Sequence, residues 1–307
     1  MRVFVTGATG LVGRRLVADR LQRGDQVVVL TRDGARARGV LAGDDVGVVE
    51  VVEGDPSTGG AWQEHVSGCD AVVHLAGAGV GDRRWSTAYK KVLVDSRVES
   101  TRRVADAIDA AADRPSALVC ASATGYYGVC ATAVDETAAP GDDFLARLSV
   151  KWEEAAQTAT GFGARVVHAR LGIVLDERGG ALARMVPLFR WMVGGPLGSG
   201  RQHMPWVHWR DVAGLVDLAL RDDRLSGPVN VVAPEAVTNR AFARALGRVL
   251  GRPSWMAAPR FGLRITVGEL ADSMTMSQHV VPAKALELGY EFAFPELGRA
   301  LADLLQN

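Results

Sequence analysis

Two short stretches of this 307-residue chain hold groups whose types and spacing suit chemistry. The first is Ser122-Ala123-Thr124-Gly125-Tyr126-Tyr127-Gly128, which sets two hydroxyls and two phenols side by side. A phenol ionises near pH ~10, so without help it is a weak base at neutral pH. It can still act as an acid, giving its proton to the alkoxide that develops when a carbonyl is reduced. Tyr127 is the first candidate for that role, with Ser122 and Thr124 beside it; the competing reading is that the rings only pack the loop. The second stretch, Gly7-Ala8-Thr9-Gly10-Leu11-Val12-Gly13, offers backbone instead of side chains. Gly7 permits a tight turn, Gly10 lets a pyrophosphate come close, and Gly13 lets a helix pack against a strand. An anion would rest on the free N–H groups and positive end of that helix, which makes Gly7, Thr9, Gly10, Leu11 and Val12 the candidate contacts. A glycine turn that binds nothing is the alternative.

These groups need elements to hold them. Apolar, β-branched runs predict strands over residues 3–6, 26–31, 48–53, 71–75, 117–122 and 165–171, and amphipathic patterns predict helices over 11–23, 88–111 and 143–160. The strands read as continuous apolar runs, as strands buried on both faces do, so the fold class is α/β: a Rossmann-type doubly wound parallel sheet. The hydroxyl segment then leaves the carboxyl end of the fifth strand, the edge at which such sheets bind ligands. Beyond residue 171 the rhythm changes. Glycine pairs flank one amphipathic helix, the stretch from Met204 to Asp222 reads as strand, turn and helix, and Gly227-Pro228-Val229-Asn230-Val231-Val232 reads as a further sheet strand. The expected division is a dinucleotide-binding domain over 1–172, rejoined by 204–233, and a smaller C-terminal substrate lobe from 173–203 and 234–307. The glycines from Gly194 to Gly200 suggest a flap or a close backbone approach.

The end of the second strand selects the cofactor. An acid there would hold a ribose 2′-hydroxyl, whereas an arginine accommodates a 2′-phosphate. The sequence reads Leu30-Thr31-Arg32-Asp33, so Thr31 and Arg32 favour NADP over NAD. Basic and acidic residues balance at 35 each, which gives no field for a nucleic acid or an anionic membrane. Cys69, Cys120 and Cys130 match no metal or redox spacing and read as reduced thiols. No apolar run reaches the ~18 residues of a membrane span, and no signal peptide opens the chain; a cytoplasmic monomer or homodimer acting on a small molecule is expected.

With "HLAGAGV" from His74 and "SATGYYG" from Ser122, the chain resembles the extended short-chain dehydrogenase/reductase superfamily. More narrowly it resembles the atypical "epimerase family protein" subgroup, some of whose members carry a nucleoside-diphosphate sugar epimerase or cell-division inhibitor label. The closer matches are "RRWSTAYKKVLVDSRVEST", "KWEEAA", "GGPLGSGRQHMPWVHWRDVAG" and "VPAKALELGYEFAFPELGRAL". The resemblance implies that Leu75, Ala76 and Gly77 lie along the cofactor's adenosine ribose. It also implies that Arg97 approaches the cofactor and that Val174 passes near the nicotinamide.

One part of the superfamily's chemistry is missing. Its proton transfer normally rests on Tyr-x-x-x-Lys, and none of Tyr89, Tyr126, Tyr127 and Tyr290 has a lysine four residues on. Placing Glu153 where a glutamate usually follows that lysine puts Leu145 and Ser149 at the dyad positions, and Lys151 roughly 200° round the helix from the lysine's place. His208 reads as a structural histidine before a catalytic one. Two functions fit: an NADP-dependent oxidoreductase or epimerase acting on a hydroxylated or carbonyl small molecule, by resemblance a sugar nucleotide, and an NADP-binding sensor without turnover.

Overall fold

The computed structural model describes residues 1–41 and 49–306. In chain order its first half holds β1 (Arg2–Thr6), α1 (Leu11–Gln22), β2 (Gln26–Thr31), α2 (Gly34–Leu41), β3 (Val49–Glu53), β4 (Ala71–His74), α3 (Thr87–Ala110), β5 (Ala117–Ala123), β6 (Cys130–Val134) and α4 (Phe144–Gln157). There follow β7 (Arg165–Leu171), β8 (Ile173–Leu175), α5 (Gly180–Arg190), β9 (His203–Met204), β10 (Trp206–His208), α6 (Trp209–Arg221) and β11 (Gly227–Val231). The chain ends with β12 (Val237–Thr238), α7 (Asn239–Leu250), α8 (Arg260–Val267), α9 (Leu270–Thr275), β13 (Gln278–Val280), α10 (Ala283–Glu287) and α11 (Leu297–Leu305).

Among the described residues seven strands form one parallel sheet in the order β11-β7-β5-β4-β1-β2-β3. The order reverses between β1 and β4, which opens a crevice beyond their carboxyl ends. Alternation within each strand feeds two cores. Val3 and Val5 of β1 face α1 and α6, meeting Leu16, Val17, Val212 and Leu215. Phe4 faces the other way, toward Val104 and Ile108 of α3 and Trp152 of α4. A third core, with Phe189, Trp206, Phe242 and Leu301, binds α5, α7 and α11 together. The strand pair β6 and β13 ties the C-terminal region to the loop after β5.

The expected strands at 26–31 and 165–171 fall where β2 and β7 lie; residue 48, the expected start of the third strand, lies outside the described residues. The expected turn before α6 does not form. β10 runs straight into the helix because the His208 ring caps it, accepting a hydrogen bond from the Arg210 N–H at 3.1 Å. The glycines after α5 serve close approach: a Cβ on Gly195 would stand 2.2 Å from the Met256 carbonyl oxygen. All three cysteines are free and buried, and burial pushes the Cys69 thiol up to about 11 and the Cys120 thiol up to about 12. Among the described residues no helix is long and apolar enough to cross a membrane.

Candidate functional site

At the crevice a cavity of about 430 Å³ is lined by Gly7, Thr9 and Gly10 from the β1–α1 turn, Thr31 at the end of β2 and Arg32 after it, and Leu75, Ala76 and Gly77 after β4. Gly7 has φ +70°, and a Cβ there would lie 2.6 Å from the Leu75 carbonyl carbon. A Cβ on Gly13 would lie 2.2 Å from the Gly7 carbonyl oxygen, so the first turn of α1 can seat only on a bare Cα. Gly10 occupies the N-cap and brings no side chain to close the helix end, and no acid sits in the first turn. The N–H groups of Leu11 and Val12 are therefore left for an outside acceptor. This cradle fits a dinucleotide's pyrophosphate.

The adenosine end has a wall that sequence reading missed. Asp55 and Ser57, after β3, line the cavity with Arg32. Burial works against the Asp55 carboxylate, but the Ser57 hydroxyl and N–H, with the Arg32 charge, hold it below its usual range. The signal was available: an Asp-Pro-Ser turn closing a strand of this sheet. Leu11, Val12, Arg97 and Val174 are not part of the cavity wall. Leu11 and Val12 offer only their backbone N–H groups there. Arg97 lies against Gly77 and stacks over Trp152 at 5.1 Å, where burial lowers its guanidinium to about 10. Val174 is held in the pairing of β8 with β10.

The hydroxyl segment is brought to the expected edge, but its side chains turn inward. Tyr127 is 4% exposed; its phenol donates to Asn230 Oδ1 at 2.7 Å and accepts from Arg170 Nη1 at 2.8 Å. Burial pushes that phenol up to about 12 against the influence of Arg170 and Asn230. Ser122 donates to Glu153 Oε1 at 2.6 Å, and Thr124 to Gln278 Oε1 at 3.3 Å. Arg170 closes the network with a two-pronged grip on Glu153 at 2.9 and 2.8 Å, and its guanidinium covers the Tyr126 ring at 3.5 Å. The expected proton donors Tyr127, Ser122 and Thr124 each have their hydroxyl hydrogen-bonded to another side chain of the protein. At the dyad positions, Leu145 packs on Gly125 and Ser149 is buried, while Lys151 faces solvent. His208 is buried between its helix cap and Phe294, stacked at 3.9 Å.

Beyond Ala78 the same loop enters a second cavity of about 670 Å³, walled by α5, β9 and the residues around α9. Among its lining residues the titratable groups are Asp82, Arg184 and His203. Arg184 donates to the Gly81 carbonyl at 3.0 Å and lies 3.6 Å from the Asp82 carboxylate. His203 stacks on His279 at 4.4 Å; burial, then that neighbour, lower its pKa, so the ring is neutral at neutral pH. Sequence reading passed over His203 for His208, since nothing in the local pattern says which of the two faces a cavity.

Comparison with known proteins adds to this geometry. The family described as NAD dependent epimerase/dehydratase matches residues 3–232, and a domain of unknown function, DUF1731, matches residues 258–304. An epimerase family protein SDR39U1 homolog, chloroplastic, from Arabidopsis thaliana is 40% identical over 311 residues, covering 100% of this chain and 87% of that protein. The crystal structure of human epimerase family protein SDR39U1 (isoform 2) with NADPH matches with a TM-score of 0.87 at 34% identity, over 100% of both chains. A nucleoside-diphosphate sugar epimerase from Corynebacterium glutamicum matches with a TM-score of 0.78 at 29% identity, over 99% of this chain and 58% of that one.

Proposed function

Since the chain belongs to the NAD dependent epimerase/dehydratase family, we propose that it binds NADP(H) at the β1–β4 crevice and works as an oxidoreductase on a hydroxyl or carbonyl of a small molecule. The observation that carries this reading is the shared wall. Leu75 to Ala78 line the first cavity, and Gly79 to Asp82 line the second one, so one loop joins the two. In this reading the Leu11 and Val12 N–H groups hold the pyrophosphate, Arg32 and Thr31 hold the 2′-phosphate, and Leu75 to Gly77 lie along the ribose. NADPH in the related human structure supports the choice of phosphate.

When bound, the cofactor supplies or takes a hydride. In reduction the carbonyl carbon gains that hydride and its oxygen gains a proton, so carbonyl and NADPH become alcohol and NADP⁺. We assign the proton to His203. It lines the substrate cavity, and its ring nitrogens have no hydrogen-bond partner among the described residues; the neutral ring can take the hydroxyl proton when the alcohol is oxidised, and the imidazolium so formed is the acid that returns it in reduction. The Tyr127–Arg170–Glu153 network holds the floor beneath the loop. Titration of the protein with NADPH and NADH, followed by NADPH oxidation at 340 nm over a panel of carbonyls, tests the proposal. Equal affinities refute the phosphate assignment.

A second reading, an NADP(H) sensor without turnover, is favoured by one observation: the hydroxyls of Ser122, Thr124 and Tyr127 are each hydrogen-bonded within the scaffold. It predicts tight NADPH binding and no oxidation with any carbonyl.

A further inference from the structure

The second cavity has a composition at odds with a nucleotide. Five of the chain's seven methionines line it: Met185, Met204, Met256, Met274 and Met276. Leu188, Phe189, Leu263 and Leu270 fill much of the remaining wall. Thioether side chains are flexible and polarisable, and they shape themselves to varied apolar surfaces. A void of about 670 Å³ is far larger than a packing defect and matches the size of a small-molecule site. A nucleotide diphosphate would need paired cations there. Among the described lining residues Arg184 alone is cationic, and it is already engaged by the Gly81 carbonyl and paired with the Asp82 carboxylate, which would repel a phosphate. Two large apolar side chains near this region of the sequence are exposed, Trp191 at the end of α5 (75%) and Phe261 on α8 (72%). Against this apolar wall, besides Asp82, whose carboxylate is paired with Arg184, two side chains offer polar atoms without an intramolecular hydrogen bond among the described residues, His203 and Ser273.

We propose that this cavity takes an elongated apolar molecule bearing a single oxygen function, held at that end by His203 and Ser273, with the carbon skeleton along the methionine wall. The inference rests on the oxidoreductase reading for the nature of the oxygen function alone; the apolar occupant follows from the wall. It replaces the sugar nucleotide that resemblance suggests with a ligand of opposite polarity.

The test is calorimetric titration of the NADPH-loaded protein with 2-hexanone, 2-octanone and 2-decanone, with UDP-glucose as the polar comparator. Burial of each added pair of methylenes should raise affinity about tenfold. Met274→Arg, a rim substitution on a solvent-facing helix, and Ala181→Trp, which fills the void from α5, should each weaken 2-decanone at least about tenfold, while NADPH affinity is unchanged because neither residue lines its cavity. UDP-glucose should not displace 2-decanone. Affinity independent of chain length, no ketone binding, or displacement by UDP-glucose overturns the proposal. Ketone binding without NADPH oxidation supports the apolar site and counts against the oxidoreductase reading, so the two failures are distinguishable.

Discussion

Arg170→Met should be among the most damaging single substitutions in the sheet, although Arg170 touches neither cavity. Its side chain is 3% exposed and that of Glu153 is 12% exposed, so the pair is sheltered from water and salt. Removing the guanidinium leaves the Glu153 carboxylate with the Ser122 hydroxyl as its remaining hydrogen-bond partner and takes one partner from the Tyr127 phenol. Breaking a buried pair on one side costs ~3–5 kcal/mol, because the surviving charge stays desolvated without compensation. Glu153→Leu should cost about as much for the mirror-image reason. The double variant, in which neither charge is stranded, should cost less than the sum of the singles by ~2–3 kcal/mol. Urea unfolding of the four proteins at neutral pH, followed by far-UV circular dichroism, measures each term. Simple additivity, or a single variant losing less than ~1 kcal/mol, would refute the claim that this pair is a buried and mutually dependent unit.

Tyr127→Phe should lose ~1–3 kcal/mol of stability by stranding the Asn230 amide oxygen, yet keep full turnover in any carbonyl reduction; a large fall in kcat with stability intact would restore the phenol as proton donor. Arg32→Ala should weaken NADPH by ~1.5–3 kcal/mol and leave NADH unaffected in parallel fluorescence titrations. Burial lowers His74 to about 3 and His208 to about 4. The unfolded chain takes protons at these sites near pH ~6.5 and the native chain refuses them, so stability falls as pH drops below that value. By pH 5 the two together should have cost ~4 kcal/mol, and His74→Asn should remove about half of that slope in melting temperatures between pH 7 and pH 5. Asp211→Ala should free the segment before α11, since the Asp211 carboxylate accepts from the Ala293 and Phe294 N–H groups at 2.7 and 3.0 Å; faster tryptic cleavage near Lys284 is the readout.

The central sheet was legible because its strands are long, apolar and bounded by turn residues, and β2 and β7 need no tertiary help to be recognised. The glycine cradle was legible for the same local reason: strand, turn and helix follow in order. What escaped was whatever depends on partners distant in sequence. α2, with glycine at two of its positions, has weak intrinsic preference. β8, β9, β12 and β13 are two or three residues long and exist through pairing alone. Tyr127 could be placed at the correct sheet edge, but a residue's position along a strand does not reveal whether its side chain faces the ligand or the scaffold. That was decided by Arg170 and Asn230, which lie on two later strands.

The two cavities draw on different parts of the chain. Every residue lining the first comes from positions 7 to 100, whereas much of the second is built from positions 256 to 278, within or next to the C-terminal extension. Such a division makes the scaffold modular in inheritance. Changes in the extension can accumulate, or the extension can be exchanged whole, without touching the groups that hold a dinucleotide. A lineage built on this plan can diversify what it accepts while its cofactor stays constant, and an engineer who grafts extensions between relatives would be exploiting a seam already present in the gene.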